Sequence, residues 1–162
     1  MPVSFPPLNG ENPKILVLGS MPGKDSLRLN QYYANKRNCF WKIMFRYFDT
    51  SFSENYEARK SLIRQNGIAL WDTIASCERE NSSLDSDITN VTPNSIAWFL
   101  EKHLTICAVF TNGKKSYKIF KECFPLVRIP CKAMPSTSPA NTRTNFENQY
   151  SIWKAALDEF RI

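Results

Sequence analysis

The stretch Lys14–Ser20, with the sequence KILVLGS, decides the fold. It is a short run of branched apolar residues that ends near a glycine, which is typical of a β-strand buried on both faces. Three further runs of this kind follow along the chain, at Gly67–Ile74, Thr105–Thr111 and Val127–Met134. Pro130 lies inside the last run and offers no N–H to a ladder, so we expect this strand to lie at an edge or to end early.

Segments with helical character separate and follow these strands. We expect helices toward the end of Ser26–Phe48, at Tyr56–Gln65, from Asn94 to about His103, at Gly113–Phe124 and at Thr144–Phe160. Residues 78–93 are polar and turn-rich, which predicts a loop. Strands that alternate with helices form right-handed βαβ units around a parallel sheet covered on both faces. The predicted fold is therefore a single three-layer α/β/α domain over residues 1–162, with a central four-stranded parallel sheet.

The composition sets limits on the class of protein. A chain of 162 residues, 43% of them apolar, can bury one full core. Its apolar runs are too short to span a membrane, and its N-terminus lacks a secretory signal pattern. Five cysteines without a CxxC pair argue against a disulfide framework, a structural metal site and an iron–sulfur cluster. We expect a cytoplasmic protein with reduced thiols, no metal and no membrane partner.

Positive charge is concentrated in two stretches of the chain. Residues 24–46 and 112–132 each contain six basic residues against one acidic residue, whereas residues 47–103 contain nine acidic residues against five basic ones. The net charge of the whole chain is +6. Clusters of this kind favour a polyanionic partner such as nucleic acid, although a solvated basic face without a ligand gives the same pattern.

Each predicted strand ends in a polar or turn-forming cluster. These clusters are Gly19–Gly23 (GSMPG), Trp71–Thr73, Thr111–Lys115 and Pro135–Asn141. Ligands of open parallel sheets bind beyond the carboxyl ends of the strands, so the four clusters are expected to form one site. GSMPG lacks the lysine of a P-loop and the spacing of a dinucleotide loop, which disfavours nucleoside triphosphates and nicotinamide cofactors.

Aromatic residues and amides alternate shortly after the first cluster. Gln31-Tyr32-Tyr33 is followed by Asn38-Cys39-Phe40-Trp41. Rings interleaved with amides suit a pocket that stacks a planar base and reads its edge. The alternative is that the rings belong to the core, and we favour the core for Trp41 while leaving both readings open for Phe40.

The segments LGSMPGKDSLRLNQYY, NCFW, GIALWDTIASC, FTNGKKSY and MPSTSPAN together resemble the uracil-DNA glycosylase superfamily, most of all its hypoxanthine-DNA glycosylase (DNA-deoxyinosine glycosylase) branch. The resemblance runs from about residue 13 to the C-terminal helix. It implies a four-stranded parallel sheet between helices. It also implies a monofunctional enzyme that flips a deaminated base out of DNA and hydrolyses its N-glycosidic bond. No metal or cofactor is implied, and we expect a monomer.

The resemblance also implies roles for individual residues. Gly19–Gly23 matches the first motif of the family, where Ser20 replaces the catalytic Asp or Asn of uracil-type relatives. Asn38 looks like the substitute, and its amide would orient water and stabilise charge on the sugar. A helix cap is the alternative role for Asn38. Phe40 matches the ring that stacks on the flipped base, and Tyr33 would close the pocket from the other side.

Further residues are assigned to the base and to the DNA backbone. Asp72 or its neighbour Trp71 falls where relatives read the base edge, with a helix cap as the alternative role for Asp72. Asn112 is a further candidate for base binding. Lys114 or Lys115 would bind a phosphate, unless they are simply solvated. Ser136–Asn141 matches the second motif, a loop that pinches the DNA backbone. The expected DNA contacts are Gly23, Lys114, Lys115, Ser136, Thr137, Ser138 and Asn141.

One departure from the family pattern bears on the substrate. Many uracil glycosylases have a histidine before the second motif, where this chain has Met134-Pro135. The only histidine is His103, which is expected to be structural or exposed. This departure puts strong uracil excision in doubt. A mismatch-specific uracil/thymine glycosylase and a non-catalytic nucleic-acid-binding domain on the same fold remain as alternatives.

Overall fold

The computed structural model describes residues 1–160, in which a parallel sheet is covered by helices on both faces. The sheet has four strands in the order β2-β1-β5-β6, and a separate antiparallel pair is formed by β3 and β4. The strands are β1 (Ile15–Gly19), β2 (Ile68–Asp72), β3 (Ile74–Glu78), β4 (Thr89–Pro93), β5 (Ala108–Asn112) and β6 (Cys131–Met134). The helices are α1 (Lys24–Leu29), α2 (Phe40–Tyr47), α3 (Tyr56–Gln65), α4 (Ile96–Lys102), α5 (Lys114–Cys123) and α6 (Phe146–Glu159). The predicted α/β/α fold and its four-stranded parallel sheet are confirmed.

The two faces of β1 explain why this strand lies at the centre of the fold. Ile15 and Val17 pack into a core with side chains of α2, α3 and α6. Leu16 and Leu18 point to the opposite face and pack with side chains of α4 and α5. All four side chains have no exposed surface. A strand that alternates between two cores must be apolar at every position, which is the pattern read from the sequence.

Residues 74–93 differ from the prediction. The run Gly67–Ile74 was expected to be one strand, but the chain leaves the sheet after Asp72 and starts β3 at Ile74. β3 then pairs antiparallel with β4, within a segment that was expected to be a loop. Ile74, Cys77 and Ile88 are buried in a small third core beneath this pair. The apolar residues of this segment are few and widely spaced, so their common burial was not evident from the sequence.

The edge strands follow from local chemistry. β6 pairs only with β5 in the sheet order, as Pro130 predicted, and it begins at Cys131, directly after the proline. The other edge is partly covered, because the backbone of Leu8 makes two hydrogen bonds of 2.8 Å with Leu70. Cover of this kind protects an edge strand from pairing with other chains. No helix in residues 1–160 is long and apolar enough to cross a membrane.

The sheet order places a crevice at the carboxyl ends of the two central strands. The chain leaves β1 toward β2 through helices on one face, and it leaves β5 toward β6 through α5 on the other face. The carboxyl ends of β1 and β5 are therefore the point at which the connections diverge. In open α/β sheets this switch point is the usual ligand site.

Candidate active site

A cavity of about 1070 Å³ lies at this switch point. All four strand-end clusters contribute to its wall, as the sequence predicted, together with the segment 83–86 that follows β3. The predicted site residues that line the cavity are Ser20, Gly23, Tyr33, Asn38, Asp72, Asn112, Lys114, Lys115, Ser136, Thr137, Ser138 and Asn141. Phe40 is the one predicted site residue that does not line it.

Gly19 and Asp72 are partners across the parallel ladder of β1 and β2. A β-carbon at position 19 would lie 2.5 Å from Oδ1 of Asp72, which is closer than two such atoms can approach. The glycine therefore makes the space that the carboxyl group occupies. The close approach explains why the first strand must end in glycine for the site to form.

The carboxyl group of Asp72 is buried at the bottom of the site. The residue is 4% exposed, and its Oδ2 atom is buried without a hydrogen-bond partner. Burial, followed by the nearby charge of Asp85, raises the pKa of Asp72 to about 7, while Arg79 opposes the shift. The helix-cap alternative for Asp72 is wrong, because β3 and not a helix follows β2. A carboxyl group that is neutral near pH 7 can both donate and accept hydrogen bonds.

Ser20 has a partner that the sequence did not reveal. Its Oγ donates a hydrogen bond of 2.5 Å to Oδ1 of Asp85. Asp85 is the first residue of a short 3-10 helix, Asp85–Asp87, in the segment between β3 and β4. Sequence reasoning missed Asp85 because this segment was treated as a loop with no link to the first motif. The available signal in the sequence was a single basic residue, Arg79, in an otherwise acidic segment. In the structure, Arg79 is 8% exposed.

Asn38 precedes α2 and is half-buried at the cavity wall. Its Oδ1 accepts a hydrogen bond of 3.0 Å from the backbone N–H of Phe40, so it assists the start of the helix. Within the described chain no hydrogen bond is made by its Nδ2 atom. Asn38 can therefore assist the start of the helix through its side-chain carbonyl and still offer its Nδ2 atom to the cavity.

The two rings expected to enclose a base are in contact with each other. The ring centroids of Tyr33 and Phe40 lie 4.2 Å apart, at an interplanar angle of 33°. Phe40 has no exposed surface and packs edge-on against Trp153 of α6, so its expected stacking on a base is not found in this conformation. Its position at the first turn of α2 turns the side chain into the core. Trp41 is 1% exposed, as the core interpretation predicted.

Tyr33 is one of the aromatic residues that line the cavity, together with Phe5, Tyr32 and Tyr117. Its backbone has a φ of 54°, which is unusual for a bulky residue and typical of functional positions. Its hydroxyl is buried without a hydrogen-bond partner. Burial and then the charge of Asp72 raise the pKa of this phenol, so it remains neutral at physiological pH. Tyr33 therefore covers Phe40 and offers the cavity a neutral ring.

Asn112 connects β5 to the loop after β6. Its Nδ2 donates to Oγ1 of Thr137 at 2.9 Å, and its Oδ1 accepts from the Thr137 backbone N–H at 3.0 Å. The Thr137 carbonyl in turn accepts from the backbone N–H of Cys39 at 3.1 Å. Thr137 is 2% exposed, and these bonds anchor the loop. These two bonds use one of the two hydrogens on Nδ2 and one of the two lone pairs on Oδ1, so the amide of Asn112 retains capacity for a further partner.

The loop after β6 is stiffened by its own polar groups. The carbonyl of Ser136 accepts from Nδ2 of Asn141 at 2.9 Å and from Nε2 of Gln149 at 2.6 Å. The Ser136 hydroxyl accepts from the backbone N–H of Ser138 at 3.2 Å. Gly113, with a φ of 98°, lets the N-terminus of α5 pass close by, because a β-carbon there would lie 3.2 Å from Ser136. The loop is thus a preformed wall of the cavity.

Basic side chains surround the mouth of the cavity. Lys24, Lys114 and Arg143 are exposed and Lys115 is half-buried, and all four line the cavity. Among the ion pairs of residues 1–160, none involves these four side chains. They are therefore available to an anionic ligand. His103 lies elsewhere, at the end of α4, where its ring packs 4.3 Å from that of Phe99.

Comparison with known proteins agrees with this geometry. A model of the uracil DNA glycosylase superfamily matches residues 6–161. Two curated relatives named hypoxanthine DNA glycosylase, from Methanosarcina acetivorans and Methanosarcina barkeri, are 34% and 33% identical over 157 residues, covering 94% of this chain and 96% of each relative. The solution NMR structure of a candidate uracil DNA glycosylase from Methanosarcina acetivorans is 30% identical, with a TM-score of 0.85 over 99% of this chain and 98% of that one. The chain belongs to the uracil DNA glycosylase superfamily.

Proposed function

We propose that this protein is a DNA glycosylase that flips a deaminated base out of DNA, hypoxanthine above all, and hydrolyses its N-glycosidic bond. The observation that carries the proposal is the cavity at the switch point, which combines a neutral aromatic wall, a buried carboxyl group and a basic mouth. The names of the two Methanosarcina relatives support hypoxanthine as the substrate. We infer that residues 1–162 act as one domain and as a monomer.

The cavity has the size and charge that a flipped nucleotide requires. Its volume of about 1070 Å³ holds a purine with its sugar, at the upper end of the usual range for ligand sites. Lys24, Lys114, Lys115 and Arg143 face the phosphates on either side of the flipped residue. Gly23, Ser136, Ser138 and Asn141 approach the backbone between them. Binding through phosphates displaces counterions, so it weakens steeply with salt.

Tyr33 and Asp72 recognise the base in this proposal. A purine entering the cavity stacks on the ring of Tyr33, which takes over the stacking role expected of Phe40. Hypoxanthine presents an acceptor at O6 and a donor at N1, which a neutral carboxyl group can match with one donor and one acceptor. The carboxyl group of Asp72, which lines the cavity and has a pKa raised to about 7, is such a group. Asn112 then acts on the base through the loop that it fixes.

Asn38 assists the bond cleavage. The bond between C1′ and N9 breaks first, so that the sugar gains positive charge while the base departs with the electron pair. Oδ1 of Asn38 has a second lone pair beyond the one used by Phe40, and its Nδ2 is available to orient the attacking water. Neither a metal nor an organic cofactor takes part. All five cysteines are free, which suits action in the reducing cytoplasm.

A single-turnover assay with labelled duplexes tests the proposal. Each duplex contains one deoxyinosine, deoxyuridine or deoxyxanthosine, and abasic sites are revealed by cleavage in alkali. We expect alkali-dependent cleavage that is fastest at deoxyinosine. Faster cleavage at deoxyuridine opposite guanine would assign a mismatch-specific uracil glycosylase instead. Salt-sensitive binding without cleavage of any duplex would leave only a nucleic-acid-binding domain.

A further inference from the structure

The first motif of this chain lacks an acidic residue, yet a carboxylate is present beside it. Ser20 is 8% exposed at the end of β1, and its hydroxyl donates at 2.5 Å to Oδ1 of Asp85. Asp85 also lines the cavity, although it lies 65 residues further along the chain. The pair thus places a carboxylate where the sequence alone shows only a hydroxyl.

The segment that contains Asp85 is attached to the first loop at two further points. The guanidinium of Arg79 donates through Nη2 to the carbonyl of Pro22, and the backbone N–H of Lys24 donates to Oγ of Ser83 at 2.9 Å. On the other side of Asp85, Ile88 is 3% exposed in the small third core. Because the segment is fixed on both sides, the carboxylate is held in place before substrate binds.

The charges around the site favour one ionised carboxylate and one neutral one. Arg79 is a single buried cation, and its Nε and Nη1 atoms have no hydrogen-bond partner. It lowers the pKa of both Asp72 and Asp85, which would otherwise repel each other. Burial raises the pKa of Asp85 above its ordinary value, and the hydrogen bond from Ser20, the charge of Arg79 and the charge of Lys115 oppose this rise. Because Asp85 accepts a hydrogen bond from Ser20 whereas Oδ2 of Asp72 has no partner, Asp85 is the one of the two carboxyl groups that ionises more readily.

We propose that Asp85 is a positioning residue that, through the Ser20 hydroxyl, orients the attacking water and accepts its proton. This inference rests on the proposed function and deepens it. The resemblance assigned Asn38 as the substitute for the missing acid, and an amide cannot accept a proton from water. Ser20 with Asp85 supplies the missing base, whereas Asn38 supplies orientation.

The proton and electron balance of the step is simple. The C1′–N9 bond breaks and its electron pair leaves with the base. The water oxygen forms a bond to C1′ and gives a proton to Oγ of Ser20, which passes its own proton to Oδ1 of Asp85. Solvent returns a proton to the departing base and removes the one on Asp85. While the sugar is cationic, the negative charge of Asp85 also stabilises it.

Several titratable groups face Asp85 and bear on its pH dependence. They are Arg79 and Cys77 from β3 and the segment after it, Asp72 from β2, Tyr33 from the loop before α2, and Lys115 from α5. Of these, Asp72 titrates near neutral pH, at about 7. Ionisation of Asp85 therefore produces the acid limb of the rate profile, and loss of the proton from Asp72 produces the alkaline limb.

The test compares Asp85→Asn with Asp87→Asn in single-turnover excision from a deoxyinosine duplex. Asp87 lies in the same 3-10 helix but is exposed and outside the cavity wall, so it is a matched control. We expect Asp85→Asn to slow the step by ~10²-fold, as is typical when a general base is removed. The acid limb of its pH profile should disappear. Ser20→Ala should give a comparable loss, because the proton reaches Asp85 through this hydroxyl, and the double variant should be no slower than either single variant.

The readouts separate this inference from the proposed function. If the wild-type protein excises no base, the proposed function fails and the inference fails with it. If the wild-type protein is active and Asp85→Asn stays within ~3-fold of it, only the inference is overturned. An Asp85→Asn protein that is slow but retains the acid limb of the wild type also overturns it, because a merely structural loss leaves the profile unchanged. Affinity for a duplex containing the non-cleavable 2′-fluoro analogue of deoxyinosine should not fall in Asp85→Asn.

Discussion

The carboxyl group of Asp72, at the end of β2, occupies the space that a side chain at position 19, at the end of β1, would need. Only glycine at position 19 leaves this space open. A β-carbon on Gly19 would lie 2.5 Å from Oδ1 of Asp72 and 3.4 Å from the hydroxyl of Tyr33. The end of β1, the carboxyl group of Asp72 and the ring of Tyr33 are therefore linked through one position.

Gly19→Ala should disrupt the site and destabilise the fold. We expect a loss of ~1–3 kcal/mol in the free energy of unfolding, as is typical of overpacking, together with loss of excision. Gly23→Ala is the matched control for stability, because its β-carbon would meet the movable end of Ser83 at 3.3 Å. Urea unfolding measures both variants. Equal stability of the two would contradict the account of Gly19.

Replacement of Tyr33 separates its ring from its hydroxyl. Tyr33→Phe removes a buried hydroxyl that has no partner, so stability should be unchanged or higher and excision should persist. Tyr33→Leu removes the ring on which the base stacks, and excision should fall by ~10-fold or more, since base stacking contributes about 1–3 kcal/mol. Single-turnover rates on the deoxyinosine duplex check both. Equal activity of the Leu and Phe variants would exclude stacking on Tyr33.

The raised pKa of Asp72 should appear in the pH dependence of stability. The folded state keeps the proton up to a pKa of about 7, whereas the ordinary pKa of an aspartate side chain is 3.8. The folded state thus binds the proton more tightly, so this contribution is full at low pH and declines as the pH rises through this window. The Asp72→Asn side chain cannot ionise, so the stability of this variant should not decline in this way. Its free energy of unfolding should exceed that of the wild type by ~4 kcal/mol at pH 8, since each pKa unit corresponds to about 1.4 kcal/mol.

Urea unfolding at several pH values between 4 and 8 measures this difference. Asp87→Asn serves as the control, because Asp87 is exposed and should follow the wild-type curve. Parallel curves for the wild type and Asp72→Asn over the whole range would show that Asp72 is ionised in the folded protein. The neutral carboxyl group proposed for base recognition would then be excluded.

Salt dependence of binding tests the basic mouth of the cavity. Lys114→Ala should reduce the slope of log K against log salt by ~1, because one phosphate contact is lost. Lys102→Ala is the control: Lys102 is exposed in the last turn of α4 and does not line the cavity. Fluorescence anisotropy with a labelled duplex gives both slopes. An equal reduction in both variants would point to a general charge effect.

The parts of the fold that the sequence predicted are those in which each residue has a local preference. β1 and β5 are buried at every position and apolar up to Leu18 and Phe110, and Pro130 marks the edge strand. The pair of β3 and β4 was not predicted, because contacts between residues distant in the sequence hold the two strands together. Most residues of β4 are also exposed. The apolar pattern of Gly67–Ile74 is the same whether the strand ends at Asp72 or continues to Ile74.

Some features of the site could likewise be predicted from the sequence, and others could not. The four loops could be placed together because parallel strands bring their carboxyl ends to one edge. The contact of Ser20 with Asp85 could not, since it joins residues 65 positions apart through a segment without a motif. Phe40 was assigned to the base by resemblance, and in the structure it has no exposed surface and its ring centroid lies 4.2 Å from that of Tyr33. The sequence does not show which of these two rings faces the cavity.

Release of free hypoxanthine from a deoxyinosine duplex, measured by mass spectrometry, tests the central claim most directly. Three proteins are compared: the wild type, Asn38→Ala, and Asn38→Ser, in which a hydroxyl can still accept from the N–H of Phe40. The account predicts stoichiometric release of hypoxanthine by the wild type and a large loss of rate in both variants. No release of base by the wild type, or full activity in both variants, would contradict it.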